Sequence, residues 1–136
     1  MTLTDQLVRD EGLRLFPYQD TRGKWTIGVG RNLTDDGISQ AEAVMLLAND
    51  IGAATRSLET ALPWAMALDS TRHAALVNMT FNMGIGGLCT FREFLMAMQQ
   101  GNWTEARNQM LDSKWAEEVG TRAQRLAIQI ETGTMQ

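Results

Sequence analysis

Glu11 stands directly before Gly12, and Asp20 opens the run Asp20-Thr21-Arg22-Gly23. These two carboxyl groups are too far apart in sequence to be neighbours on one helix, so only a chain reversal at Gly12 can bring them together. A helix that ends at Glu11 presents its negative end to that carboxyl, which disfavours the ionised form and suits a proton donor. Asp20, on a more open turn, would stay ionised and could orient or activate water. Two carboxyls in unlike environments are what cleavage of an acetal requires: one protonates the departing oxygen and the other assists at the anomeric carbon. The chain has sixteen acidic residues, however, so the pair by itself reads first as solvated surface or helix-cap chemistry.

The elements that must position these groups follow a simple order: helix, small β region, then helices to the end. Leu3, Leu7 and Val8 give residues 3–11 an apolar stripe, and Gly12 is placed to stop that helix. Residues 18–23 read as a turn, residues 25–30 as a glycine-punctuated strand, and residues 31–38 as loop. Ser39 with Glu42, Thr90 with Glu93, Asn102 with Glu105 and Thr121 with Gln124 each carry the spacing of a helix-opening capping pair. The first should open a helix over 39–57. A mostly buried stripe on 71–83 then breaks at Gly84, Gly86 and Gly87, and shorter helices follow at 91–100, 103–112 and 122–132. The fold class expected is α+β, mostly helical, in one domain. It has a β-rich lobe at 13–38, a connecting helix at 39–57, and a helical lobe at 58–136 that includes the N-terminal helix.

Composition narrows the function. A chain of 136 residues can bury roughly two thirds of its unfolded surface, enough to fold without a metal or a disulfide. Twelve Lys and Arg against sixteen Asp and Glu give a formal charge of -4 and no dense basic patch, which argues against a nucleic-acid binder. Cys89 and His73 are the only residues of their kinds, so thiolate clusters and multi-histidine zinc sites are ruled out. Both are expected to be structural, with Cys89 buried or half-buried. Trp64, Trp103 and Trp115 are read first as core. No signal peptide and no membrane-spanning run can be read, so synthesis in the cytoplasm and release by an unspecified route are expected. A monomer is the default.

The residues around the carboxylates make the reading specific. The stretch Arg9-Asp10-Glu11-Gly12-Leu13-Arg14-Leu15, then Tyr18-Gln19-Asp20-Thr21-Arg22-Gly23, then Trp25-Thr26-Ile27-Gly28-Val29-Gly30, closely resembles the T4-type phage lysozymes. These are endolysins that cleave peptidoglycan between N-acetylmuramic acid and N-acetylglucosamine. Further along, Ala74–Met79, Phe81-Asn82-Met83-Gly84, Trp115 with Arg122 and Arg125, and Thr132-Gly133-Thr134 resemble the same family, so the likeness covers essentially the whole chain.

The resemblance implies a role for each matching position. Glu11 matches the general acid, Asp20 the carboxylate that positions the attacking water, and Thr26 a hydroxyl that bonds the same water. It implies inversion at the anomeric carbon, with the two carboxyls roughly 6.5–9.5 Å apart. Gly30, Phe81, Asn82 and Met83 match positions lining the saccharide cleft. Arg122 matches an arginine that pairs with the catalytic glutamate. No cofactor is implied, and the implied partner is bacterial peptidoglycan. Two positions depart from the family pattern. Arg31 stands where many members have His, and is expected to pair with Asp50 on the connecting helix. Asn32 stands where an apolar cleft residue is common. The competing readings are a catalytically weak lysozyme-like module that binds cell wall or serves as a structural part, a lytic transglycosylase, and a helical regulatory protein.

Overall fold

In the computed structural model, which describes all 136 residues, Thr2 opens α1 (Leu3–Glu11) with a reciprocal cap. Its hydroxyl accepts from the Asp5 amide at 3.1 Å, and the Asp5 carboxylate accepts from the Thr2 amide at 2.8 Å. Gly12, with φ +78°, ends the helix, a backbone conformation that side chains resist. Glu11 is therefore the last helical residue, as the sequence predicts.

The chain then forms a three-stranded antiparallel sheet in the order β1 (Arg14–Gln19), β2 (Trp25–Gly28), β3 (Arg31–Asn32). The β1–β2 turn is built by Asp20. Its carbonyl accepts from the Gly23 amide at 3.0 Å, and its carboxylate accepts from the Arg22 amide at 2.8 Å. Tyr18 faces Thr26 and Gln19 faces Trp25, while the register shifts between Arg14 and Tyr18. Gly28 and Gly30, both at φ +69°, carry the short return into β3. A single turn of helix, α2 (Leu33–Asp36), follows and is capped by Asn32. Residues 31–38 are thus not the plain loop expected. Asn32 and Gly37 serve as caps as well as turn residues, and the capping use wins here.

Helix α3 (Gln40–Ala61) starts on the expected Ser39–Glu42 box, with reciprocal bonds of 2.9 and 3.1 Å. It runs past residue 57 until Pro63, which opens a 3₁₀ turn (Pro63–Ala67). The remaining helices are α4 (Ser70–Leu88), α5 (Arg92–Gln100), α6 (Trp103–Leu111), α7 (Lys114–Val119) and α8 (Thr121–Thr132). None of the helices is long and apolar enough to cross a membrane.

The chain divides into two compact units, 1–46 and 47–136, with the boundary inside α3. This places α1 with the sheet, where the sequence reading assigned it to the helical lobe. The hydrophobic core lies wholly in the second unit. Leu76 and Met79 of α4, Phe94 and Met98 of α5, Met110 of α6 and Ile130 of α8 are all closed to solvent. Burying each such side chain contributes roughly 1.5–3 kcal/mol. In the first unit Thr26 is the residue withdrawn from water, at 4% exposure.

Arg72 ties α4 to the end of α8. Its Nε donates to the Ile130 carbonyl at 2.6 Å and an Nη to the Glu131 carbonyl at 3.2 Å, satisfying last-turn carbonyls with a cation.

Four further expectations change. Cys89 is exposed. Thr90 does not cap α5: its hydroxyl donates to the Gly87 carbonyl at 2.6 Å, and Phe91 takes the cap position. Gly120 replaces Thr121 as the cap of α8, because Thr121 is already helical. The glycine break within 84–87 is confined to Gly84, at φ +77°, after which the helix resumes.

Candidate active site

Glu11, Asp20, Thr26, Gly30, Arg31 and Asn32 all belong to the first unit. The end of α1 and the turn after β2 bring Glu11 against Gly30 so closely that a Cβ added at Gly30 would lie 3.0 Å from Glu11 Oε2. A side chain at position 30 would therefore occupy the space beside that carboxylate.

Asp20 and Thr26 are organised around the peptide groups of Lys24. The Lys24 amide donates to Asp20 Oδ1 at 2.9 Å, alongside the Arg22 amide. The Lys24 carbonyl accepts from the Asp20 amide at 2.9 Å and from Thr26 Oγ1 at 3.0 Å. The consequence is directional. Oδ1 is filled by two backbone donors, so Oδ2 is the acceptor left over, and Thr26 has donated its proton and keeps its oxygen lone pairs. Lys24 went unnoticed in the sequence because its contribution comes from backbone atoms, which residue type does not reveal.

The first unit also holds a cleft of about 440 Å³ lined by Gly30, Arg31, Asn32, Asp36, Ile38 and Glu42, among others. The Arg31 guanidinium donates to Glu42 at 2.8 Å and to the Gly37 carbonyl at 3.2 Å. Its acidic partner is thus Glu42, in place of the Asp50 expected from sequence. The cap explains the choice, since bonds to Ser39 already hold the Glu42 carboxylate at the start of α3. The Arg31 hydrogen bond is the largest cause, and the Ser39 bonds add to it, of a Glu42 pKa lowered from 4.5 to about 2. A lowered carboxyl stabilises the fold above its unfolded value, and the contribution is lost as pH falls from 4.5 towards 2. Arg31→Ala is expected to move the Glu42 titration, followed by carboxyl NMR, back up towards the ordinary glutamate range. An unchanged midpoint would show that the cap alone sets it.

Asn32 is not a free cleft side chain. Its Oδ1 accepts from the Asp35 amide at 3.0 Å and its Nδ2 donates to the Asp35 carboxylate at 2.9 Å.

The other sequence-predicted residues lie in the second unit. Phe81, half-exposed on α4, lines a groove of about 500 Å³ with Leu47, Ile51, Val77 and Arg122. Asp50 lines a separate groove of about 320 Å³, to which Phe81 also contributes. Asn82 accepts the Trp115 indole N–H at 2.7 Å, and Met83 packs against the core and Gly87. Arg122 donates from Nε and an Nη to Asn78 Oδ1, at 3.0 and 2.7 Å. Asn78, one turn before Asn82 on α4, went unnoticed because an asparagine inside a helical stripe carries no signal of its partner.

Comparison with known proteins bears directly on this arrangement. The phage lysozyme family matches residues 8–129, which takes in Glu11, the sheet and all but the end of α8. The chain belongs to the phage lysozyme family. It is 30% identical to probable T4-type lysozyme 1 of Dictyostelium discoideum, over 98% of this chain and 96% of that protein. It is 32% identical to an endolysin of Acyrthosiphon pisum secondary endosymbiont phage 1, over 79% of this chain and 73% of that one. It is also 33% identical to the pre-baseplate central spike protein Gp5 of Enterobacteria phage T4, where the match spans the whole of this chain but 28% of the spike protein.

In a phage lysozyme the packing of Gly30 against Glu11 makes a sharp expectation. Gly30→Ala adds a methyl in tight contact with the Glu11 carboxylate, 3.0 Å from Oε2, and it does so at a positive φ. Gly28 has the same φ of +69° but open space around an added Cβ. Each alanine should destabilise by about 1–2 kcal/mol through left-handed strain. Only Gly30→Ala should also lower the rate of wall lysis, by about tenfold or more, through displacement of the carboxylate. Thermal melts alongside lysis rates separate the two effects, and equal lysis by both variants would count against a role for Glu11.

Proposed function

We propose that this chain hydrolyses the β-1,4 bond between N-acetylmuramic acid and N-acetylglucosamine in peptidoglycan, with inversion. The observation that carries the reading is the shared anchoring of Asp20 and Thr26 on Lys24, which leaves each with an acceptor oxygen. A water that donates to both presents its own lone pair to the anomeric carbon. Glu11 delivers its proton to the departing oxygen as that bond breaks, and the water's proton passes to Asp20. Asp20 then gives its proton up to solvent and Glu11 regains one, which restores both groups. Gly30 keeps the space at the Glu11 carboxylate open to the sugar backbone.

Product analysis tests this. Early digests of peptidoglycan should contain reducing ends in the inverted, α configuration by proton NMR. Retained configuration would overturn the water-holding role of Asp20 and Thr26. Anhydro-sugar ends would point to ring closure without water, the chemistry of a transglycosylase.

One observation favours a second reading, a lysozyme-like part of a larger assembly: the chain-length match to the central spike protein Gp5. Wall binding with no release of reducing ends by the purified chain would favour that reading.

A further inference from the structure

We propose that the second unit carries a separate, non-catalytic binding site for N-acetylated saccharide, in the groove between the 3₁₀ turn 63–67 and the end of α5. The groove has a volume of about 490 Å³, within the range of small-ligand sites. Trp64 and Trp103 supply aromatic walls, and Gln99 and Gln100 supply carboxamides.

Each component suits a sugar. Indole rings offer flat apolar faces to sugar C–H groups and an N–H donor at the edge. Of the four tryptophans, Trp115 alone bonds its N–H within the chain, so the Trp64 and Trp103 donors have no intrachain acceptor. Gln99 and Gln100 are exposed, and a carboxamide donates and accepts at once, which matches both hydroxyl and acetamido groups.

The site is also built rather than incidental. The Arg72 guanidinium lies 4.0 Å from the centre of the Trp103 ring and is itself held by Asp69, Ile130 and Glu131. Trp103 therefore has a fixed orientation before any ligand arrives, which limits the ordering cost of binding. The pairing of aromatic walls with free amides distinguishes this groove from the larger one lined by Leu47, Ile51 and Val77, which is chiefly apolar. The choice of an acetamido sugar rests on the peptidoglycan reading above.

The test is a binding titration on the full chain carrying Glu11→Gln, so that binding is read whether or not the chain cuts. The probe is the trimer of N-acetylglucosamine, followed through the four indole N–H signals by NMR. The Trp64 and Trp103 signals should shift along one saturating curve. In Trp64→Ala the Trp103 shift should disappear, or its apparent Kd should rise about tenfold or more. Because Trp64 is half-buried, the exposed pair Gln99→Ala/Gln100→Ala provides a second variant with the same expected weakening, and an unmoved Trp115 signal reports an intact core. With otherwise wild-type chains, Trp64→Ala should lose rate on insoluble wall and keep its rate on soluble fragments. Trp64 and Trp103 signals that stay still at millimolar trimer would overturn the proposal. So would equal shifts with maltotriose, which has no acetamido group.

Discussion

Glu11→Gln is expected to lower hydrolysis of peptidoglycan by about 10²–10⁴-fold, because an amide of the same shape has no proton to give the departing oxygen. Asp20→Asn should lose activity to a comparable degree for a different reason. An asparagine oxygen can still accept from the Arg22 and Lys24 amides that now bond Asp20 Oδ1, so the turn should persist. What changes is the other atom, where an NH₂ donor replaces the Oδ2 acceptor and opposes the water that must be held. Both variants should therefore fold normally and fail in kcat. Reducing ends released from purified wall give the rate, and thermal melts give the fold. Variants that stay folded and clear wall at the wild-type rate would remove both carboxylates from the mechanism. A variant that melts early would instead mark its carboxylate as structural, the reading that sixteen acidic residues make natural before the family is considered.

The parts of this site legible in the sequence are those set by local rules. A glycine after Glu11 ends a helix at that residue, and Asp20 before Gly23 makes a turn, whatever the rest of the chain does. The Ser39–Glu42 box and the Asn102 cap could likewise be read from spacing, and both form. Thr90 and Thr121 carry the same spacing and do not cap, because a threonine hydroxyl can equally bond a nearby carbonyl, as Thr90 does, or enter the helix, as Thr121 does. The caps at Thr2, Asp69 and Ser113 form as well, without the Glu or Gln three residues on that marks a capping box in a sequence. Helix α7 was missed for the related reason that six residues carry too little periodicity to register.

The least legible layer is the choice of partner. Arg31 could have met any of several carboxylates, and the resemblance to family members with a His–Asp pair pointed to Asp50. Glu42 wins because the cap has already fixed it within reach of the cation. Arg122 meets Asn78, 44 residues away in sequence, through packing of α8 beside α4 that no local pattern encodes. The same holds for the bond from Trp115 to Asn82. A family pattern can propose the residues of a site, but their hydrogen bonds are settled by tertiary packing.

Phe94→Ala is expected to destabilise the second unit by about 3–5 kcal/mol, the range for removing a large aromatic from a closed core. Phe94 is 1% exposed on α5 and meets Phe91 edge to face at 6.3 Å. Phe91 in turn meets the Trp115 ring at 6.2 Å, and Trp115 donates its indole N–H to Asn82. The three rings form a chain that joins α5 to α7, and through Asn82 to α4. Truncating its buried end opens a cavity and also removes the wall that keeps Phe91 in place. At roughly 4–8 °C per kcal/mol for a unit of this size, the melting temperature should fall by about 12 °C or more. The near-UV circular dichroism from Trp115 should weaken even below the transition, since the ring loses its fixed neighbour. Phe94→Leu keeps most of the volume and should recover more than half of the lost stability, whereas it cannot restore the edge-to-face contact. A loss below about 1 kcal/mol in Phe94→Ala would mean that the core collapses onto the vacated space. The aromatic chain would then be packing of convenience, and the link from α5 through α7 to α4 would have to rest on the aliphatic contacts around Leu88, Met98 and Met110.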